Sequence, residues 1–149
     1  MALIDIVNEK IIKVPLVSKD KPDVIRELVM ILKDAGEISD FDTALKAVQA
    51  REDKQSTGLT DNIAVPHAKT SAVNSLKLAI GIAPEGIDFD SLDKQPSKLF
   101  FLMLASPHMS GPHVQALAEI AKLSRSKTLC QAIFNAQNAQ QVVDLLINA

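Results

Sequence analysis

The longest apolar run of the chain, residues 99–105, restricts the possible folds more than any other segment. The run is far too short to cross a bilayer, and it lacks the alternation of a strand with one face in water. It fits a central strand that other elements cover on both faces. Because segments with the periods of strands and helices alternate along the chain, we predict an α/β fold over residues 1–149. This fold is a single domain with a mixed β-sheet flanked by α-helices on both faces.

Three further segments have the features of strands. Residues 11–17 are rich in β-branched side chains but interrupted at Pro15, which suits a sheet edge because proline lacks a backbone N–H. Residues 63–65 form a brief extended segment that Pro66 is expected to end. Apolar residues alternate with others over residues 76–83. The residues that follow predict a turn before the central strand: Pro84, Gly86 and Pro96.

Five segments predict helices, and the first two carry clear capping signals. Asp20 and Asp40 stand at their N-cap positions, and the helices are expected to end at Gly36 and in the polar run 51–55. Pro112 lies in the first turn of the third helix. The predicted apolar face of this helix consists of Val114, Leu117, Ala118 and Ala121. The last two helices are expected near residues 127–136 and 138–147.

The composition and charge of the chain exclude several classes of function. Lys and Arg number 16 against 18 Asp and Glu, so the net charge of −2 provides no basic footprint for nucleic acid. Only 3% of the residues are aromatic, which disfavours a surface on which bases stack. Cys130 is the single cysteine and cannot form an intrachain disulfide, and acidic Asp5 and Glu9 stand where a signal peptide is basic. We therefore expect a cytoplasmic protein without membrane insertion.

The segment 51–68 holds the residues best suited to chemistry. Pro66 fixes the backbone just before His67, so the imidazole is expected at a rigid position where a strand ends, which is where α/β folds place their sites. A neutral imidazole offers a nitrogen lone pair, and Arg51 supplies a fixed positive charge suited to phosphate. A hydroxyl-rich loop with a flexible glycine lies between them: Ser56, Thr57 and Gly58. Together these residues predict a nucleophilic histidine that receives an anionic group.

This segment resembles the active-site signature of the fructose, mannitol and nitrogen-regulatory type of enzyme IIA domains of the bacterial phosphoenolpyruvate-dependent phosphotransferase system. That signature contains an Arg-Glu pair, a Ser-Thr-Gly type of loop and a Pro-His pair with small neighbours. Here they are Arg51-Glu52, Ser56-Thr57-Gly58 and Pro66-His67-Ala68. A second hallmark, a histidine that opens a helix, is similar to His113-Val114-Gln115-Ala116-Leu117. The resemblance covers nearly the whole chain and includes the turn Asp88-Phe89-Asp90.

The resemblance implies that His67 is the phosphorylated nucleophile, with Arg51 and His113 beside it. It also places Asp61 at a polar active-site position, where the carboxylate orients an imidazole or caps a turn. The loop Ser56, Thr57 and Gly58 would support the phosphoryl group. No metal and no other cofactor is implied. The implied donor is an HPr-type phosphocarrier, and the acceptor is a IIB protein or domain in sugar uptake. In the nitrogen-regulatory alternative, phosphorylation instead controls binding to a regulatory target protein.

Other classes of site find less support in the sequence. A zinc site built from His67, His108 and His113 lacks a His-Glu-x-x-His pair on one helix. A serine hydrolase would need a Gly-x-Ser-x-Gly elbow, and a nucleotide-dependent kinase would need a glycine-rich phosphate loop. Neither motif occurs. His108 is expected to be an ordinary surface residue, while Ser56 and Thr57 are equally suited to capping a turn.

Overall fold

A computed structural model describes residues 3–109 and 111–149, so Met1, Ala2 and Ser110 lie outside it. The elements in this part of the chain are β1 (Ile12–Lys13), α1 (Lys21–Asp34), α2 (Phe41–Lys54), β2 (Ile63–Ala64), β3 (His67–Lys69), β4 (Lys77–Ile87), β5 (Ser97–Ala105), α3 (Gly111–Ser124), α4 (Lys127–Phe134) and α5 (Ala139–Ile147). Among these helices, none combines the length and apolar character that a membrane span requires. The predicted alternation of helices and strands is wrong in detail, because α1 and α2 follow β1, the four strands β2–β5 come next, and α3–α5 end the described order.

The sheet is built around β5. Its strand order is β1-β4-β5-β2, and β3 also pairs with β5. β4 runs antiparallel to β5, whereas β2 and β3 lie along the opposite edge of β5 and run parallel to it. All residues of β5 are buried except Lys98, which is partly exposed. The predictions of a mixed sheet and of a covered central strand are therefore confirmed.

Helices cover both faces of the sheet. Gly81 of β4 allows close approach of Leu28 in α1 and of Leu16 in the segment before α1. A Cβ at Gly81 would lie 2.7 Å from Leu16 Cδ2 and 2.9 Å from Leu28 Cδ2. Leu78 and Ile80 of the same strand point to the opposite face. There they line a cavity of about 680 Å³ together with residues of α3, α4 and α5. The two-sided arrangement predicted from the sequence is thus confirmed.

The helix termini follow local sequence signals. The Asp20 carboxylate accepts a hydrogen bond from Asp23 N–H at 2.9 Å, and the Asp40 carboxylate accepts one from Thr43 N–H at 3.2 Å. Gly36 has φ +73°, the left-handed conformation that glycine adopts at little cost after a helix. Asp20 and Asp40 begin α1 and α2 as predicted, and α1 ends just before Gly36. α2 ends at Lys54, within the polar run 51–55. The shorter helices α4 and α5 also lie where they were expected.

The predicted strand ends near proline are wrong in two places. β4 continues through Pro84 to Ile87, where a turn was expected, and its pairing with β5 shifts register between Ile82 and Ile87. Such an irregularity accommodates the missing proline N–H. The chain also pairs again directly after Pro66, because the Pro66 carbonyl accepts a hydrogen bond from Met103 N–H at 3.0 Å. His67 therefore begins strand β3 instead of leaving the sheet.

The predicted apolar face of α3 is also wrong in most of its residues. Val114 is 64% exposed, and Ala118 and Ala121 are exposed as well. The buried residues of α3 are His113, Ala116 and Ile120, with Leu117 partly buried beside them. The helix is rotated so that the His113 imidazole faces inward, a choice that hydrophobic periodicity does not detect.

From the close packing at Gly81 we predict how substitutions there change the free energy of unfolding. Gly81→Ala should lower the free energy of unfolding by about 1–3 kcal/mol, because the new methyl group overlaps Leu16 and Leu28. Leu16→Ala removes the nearest of these atoms and should by itself cost about 2–5 kcal/mol. The double variant should be destabilised by less than the sum of the two, since Leu16→Ala removes atoms that the new methyl group overlaps and the methyl group fills part of the space left. Urea unfolding of the three variants and the parent measures this coupling, and strictly additive values would contradict the overlap.

Candidate active site

His67 lies at the start of β3, and its ring orientation indicates which nitrogen carries the proton. In the parallel register it stands opposite Met103 of β5, and its side chain is half-buried. The ring Nδ1 lies 2.8 Å from the Val65 carbonyl oxygen. A carbonyl oxygen only accepts hydrogen bonds, so the proton resides on Nδ1, which donates it. In the neutral ring, Nε2 therefore carries the lone pair.

His113 lies directly beside this ring. The centroids of the two imidazoles are 4.8 Å apart, and the rings meet edge to face at 62°. His113 comes from the first turn of α3, which follows β5 along the chain, and it is only 9% exposed. Its Nε2 is buried and makes no hydrogen bond within residues 3–109 and 111–149. The structure thus brings together two histidines that the sequence separates widely.

The fold favours the neutral form of His113. Burial lowers the pKa of His113 below its ordinary value of 6.5, and the charges of His67, Lys69 and Arg51 lower it further. The helix N-terminus also opposes a positive charge at this place. A neutral imidazole with an uncommitted ring nitrogen can form a hydrogen bond to an anion bound near His67.

Two cations contribute positive charge around the histidines. Arg51 lies in the last turn of α2, where its Nη1 donates a hydrogen bond to the Gln55 carbonyl at 2.8 Å. Lys69 is exposed and follows His67 by two positions in β3, so both side chains leave the same face of the strand. Lys69 was missed in the sequence, although the alternation of a strand through residues 67–69 would have indicated it.

The hydroxyl groups of the loop at residues 56–58 bond within the loop and to its supports. Ser56 Oγ donates to the Phe89 carbonyl at 2.7 Å, and Thr57 Oγ1 donates to the Glu52 carboxylate at 2.6 Å. Gly58 packs so tightly that a Cβ would lie 2.5 Å from Ser91 Oγ. Direct support of a phosphoryl group by Ser56, Thr57 and Gly58 stays a prediction.

The remaining predicted residues lie in exposed turns. Asp61 has φ +60°, and its carboxylate accepts a hydrogen bond from Thr60 Oγ1 at 3.2 Å. The charge of Asp61 also acts on Cys130, which is buried in α4. Burial raises the pKa of the Cys130 thiol, and the negative charge of Asp61 raises it further. His108 is exposed on the loop after β5. Within the described ranges no three His, Cys, Asp or Glu side chains group closely enough to hold a metal ion, and the three histidines weighed as zinc ligands form no such group.

The lowered pKa of His113 predicts how stability depends on pH. Below its ordinary pKa of 6.5, the unfolded chain binds a proton at His113 that the folded chain does not, so acidification disfavours folding. Between about pH 7 and about pH 5, the free energy of unfolding should fall less steeply in His113→Gln than in the parent. Urea unfolding at a series of pH values measures both slopes.

The matched control for this measurement is His108→Gln, which removes an exposed imidazole from the neighbouring loop. We expect its slope to be steeper than that of His113→Gln. Equal slopes in the two variants would contradict a depressed pKa at His113.

Known proteins resemble this chain over most of its length. The family model described as "Phosphoenolpyruvate-dependent sugar phosphotransferase system, EIIA 2" matches residues 5–149. The chain is 34% identical over 136 residues to the fructose-specific EIIA component of Haloferax volcanii, and the match covers 88% of each chain. It is 32% identical over 146 residues to the fructose-specific EIIABC component of Bacillus subtilis. This match covers 98% of the chain but only 23% of that larger relative.

Solved structures share the same fold. The crystal structure of nitrogen regulatory protein IIA-Ntr from Neisseria meningitidis has a TM-score of 0.88 at 23% identity, covering 97% of this chain and 98% of that one. The enzyme IIAMTL of Escherichia coli, solved in complex with phosphorylated enzyme IIBMTL, has a TM-score of 0.82 at 18% identity. That match covers 96% of this chain and 98% of the other. At these identities the likeness establishes the fold alone.

Proposed function

This chain belongs to the EIIA 2 family of the phosphoenolpyruvate-dependent sugar phosphotransferase system, and we propose that it is a phosphocarrier with His67 as the phosphorylated residue. One observation carries the proposal. The Val65 carbonyl holds the Nδ1 proton of His67 and leaves the Nε2 lone pair free to act as a nucleophile. The reaction is a reversible phosphoryl transfer between two proteins, with residues 1–149 acting as one IIA-type domain.

The chemical step needs no proton transfer at the nucleophile. The neutral Nε2 of His67 attacks the phosphorus of a phosphohistidine on an HPr-type donor. The new N–P bond forms while the donor's N–P bond breaks, and that electron pair returns to the donor nitrogen. The proton stays on Nδ1 and remains hydrogen-bonded to the Val65 carbonyl. This hydrogen bond stabilises the positive charge that develops on the ring.

The surroundings of His67 are suited to the charge of the transferred group. The transition state of phosphoryl transfer is loose, so alignment and charge stabilisation are most of what the protein supplies. Arg51 and Lys69 provide positive charge, and the first turn of α3 presents His113 to the same space. His113 is assigned the role of hydrogen-bonding the phosphoryl group without carrying it.

The acceptor of the phosphoryl group is proposed to be a IIB protein or domain. The Escherichia coli IIA relative solved with a phosphorylated IIB partner supports this choice, and the fructose-specific relatives support a role in sugar uptake. Sequence similarity to a nitrogen regulatory protein of Klebsiella oxytoca, 30% identical over 105 residues, supports the alternative in which phosphorylation controls binding to a regulatory target. Both roles use His67 and place the protein in the cytoplasm.

The phosphorylated residue can be tested directly. With phosphoenolpyruvate, enzyme I and HPr, the chain should acquire one acid-labile phosphoryl group, and His67→Ala should abolish this labelling without unfolding the domain. Phosphorus and nitrogen NMR of the labelled chain should locate the group on Nε2, because Nδ1 holds the proton. His108→Ala serves as the matched control and should be labelled like the parent. Labelling that survives in His67→Ala, or that requires ATP, would falsify the assignment.

The role of Arg51 leads to a separate prediction. Arg51→Ala should slow phosphoryl transfer from HPr by about 100-fold, as when a charge-stabilising donor is lost from an active site. Arg51→Lys should restore part of the rate, because an ammonium group keeps the charge but lacks the planar guanidinium donors. Lys54→Ala removes an exposed cation from the same helix turn and should leave the rate at the parental value. Rapid-quench transfer rates for the three variants decide the matter, and equal rates would place Arg51 outside the site.

A further inference from the structure

We propose that Glu52 is a positioning residue for His67, an inference that rests on the proposed function. Glu52 is only 6% exposed, and its carboxylate accepts hydrogen bonds from both Thr57 N–H at 2.8 Å and Thr57 Oγ1 at 2.6 Å. Lys21 Nζ lies 3.1 Å from the same carboxylate. These contacts hold the backbone of Thr57 to the end of α2.

The backbone of Thr57 in turn holds the residue that orients His67. The Thr57 carbonyl accepts a hydrogen bond from Val65 N–H at 3.0 Å. The Val65 carbonyl accepts the Nδ1 proton of His67 at 2.8 Å. A continuous path of hydrogen bonds therefore runs from the Glu52 carboxylate through Thr57 and Val65 to the His67 ring.

Val65 needs this support because it lies between two short strands. β2 ends at Ala64, and β3 begins at His67, so Val65 belongs to neither segment of the ladder along β5. Its N–H donates a hydrogen bond to the Thr57 carbonyl, next to the isolated antiparallel pairing of Gly58 with Ala64. The direction of the Val65 peptide, and hence of its carbonyl, thus depends on where Thr57 is held.

The burial of the Glu52 carboxylate has a geometric explanation. Replacing a buried ion pair with apolar side chains is often neutral or stabilising, so a buried Glu52 with the partly exposed Lys21 as its partner is weakly explained by stability alone. A carboxylate, however, can accept from the amide and the hydroxyl of Thr57 at once, through two different oxygen atoms. A glutamine has one acceptor oxygen and would leave one of these donors unpaired.

The orientation of His67 matters for its chemistry. A histidine ring without a fixed partner populates both neutral tautomers, and only the form with its proton on Nδ1 has a nucleophilic Nε2. Loosening Thr57 should release the Val65 carbonyl and raise the population of the unreactive tautomer. Glu52 itself acts through Thr57 and has no part in the phosphoryl transfer step.

The test combines a structural and a kinetic measurement on four variants of the full chain. Glu52→Gln and Thr57→Val each remove one hydrogen bond of the path, Thr57→Ser keeps the hydroxyl, and Asp53→Asn changes the exposed neighbouring carboxylate as a control. Long-range proton–nitrogen NMR spectra of the unphosphorylated chain report the tautomer of His67. Rapid-quench labelling from phosphorylated HPr reports the transfer rate.

We expect Glu52→Gln and Thr57→Val to shift the His67 nitrogen signals towards the Nε2–H tautomer and to slow transfer by about 10- to 100-fold. Thr57→Ser should restore most of both properties, and Asp53→Asn should match the parent. A parental tautomer in folded Glu52→Gln and Thr57→Val overturns the proposal, whether or not transfer slows.

The two proposals fail in different ways. If Glu52→Gln does not fold, the comparison of Thr57→Val with Thr57→Ser decides, because both keep the buried carboxylate. The tautomer is measured without any partner protein, so it tests the role of Glu52 even if the parent accepts no phosphoryl group. Absence of labelling in the parent would overturn the carrier function, whereas tautomer shifts in the variants would still support the positioning role.

Discussion

β5 can be buried on both faces only if strands pair along both of its edges and helices cover both of its sides. β4 occupies one edge, and β2 and β3 share the other. Gly81 brings α1 against one face, while α3, α4 and α5 cover the other. Because residues 99–105 of β5 are apolar and buried, removing them from water favours this arrangement of strands and helices.

The candidate site follows from the direction of the strands around β5. β3 runs parallel to β5 and pairs with the carboxyl end of β5. The loop after β5 leads to α3 from that same end of the sheet. His67 and His113 therefore meet although they lie 46 positions apart in the sequence. The Val65 carbonyl favours a His67 ring with its proton on Nδ1 and a lone pair on Nε2, as the proposed nucleophile requires, whereas burial favours the neutral form of His113. Their roles differ because their surroundings differ.

Much of the fold and part of the site could be predicted from local signals. The carboxylates of Asp20 and Asp40 cap helices through residues three positions away, and residues 99–105 are apolar throughout. Pro84 and Pro66 do not end strand pairing as predicted, because a proline lacks only one donor and its carbonyl still accepts. The role that we propose for Glu52 has no local signal in the sequence beyond the Arg51-Glu52 pair. Its partners Lys21 and Thr57 come from another helix and a loop, which no periodicity connects.

The sequence by itself determined where the helices begin, which strand is central and which segment carries the histidine that we propose as the nucleophile, because each depends on neighbouring residues. The tertiary structure alone decided which side of α3 is buried, which nitrogen of His67 keeps the proton and what surrounds Glu52. Val114 is apolar yet exposed, and His113 is polar yet buried. The physical reason is that burial and hydrogen bonding depend on which distant residues meet, and the pattern of side chains along one element does not contain that information.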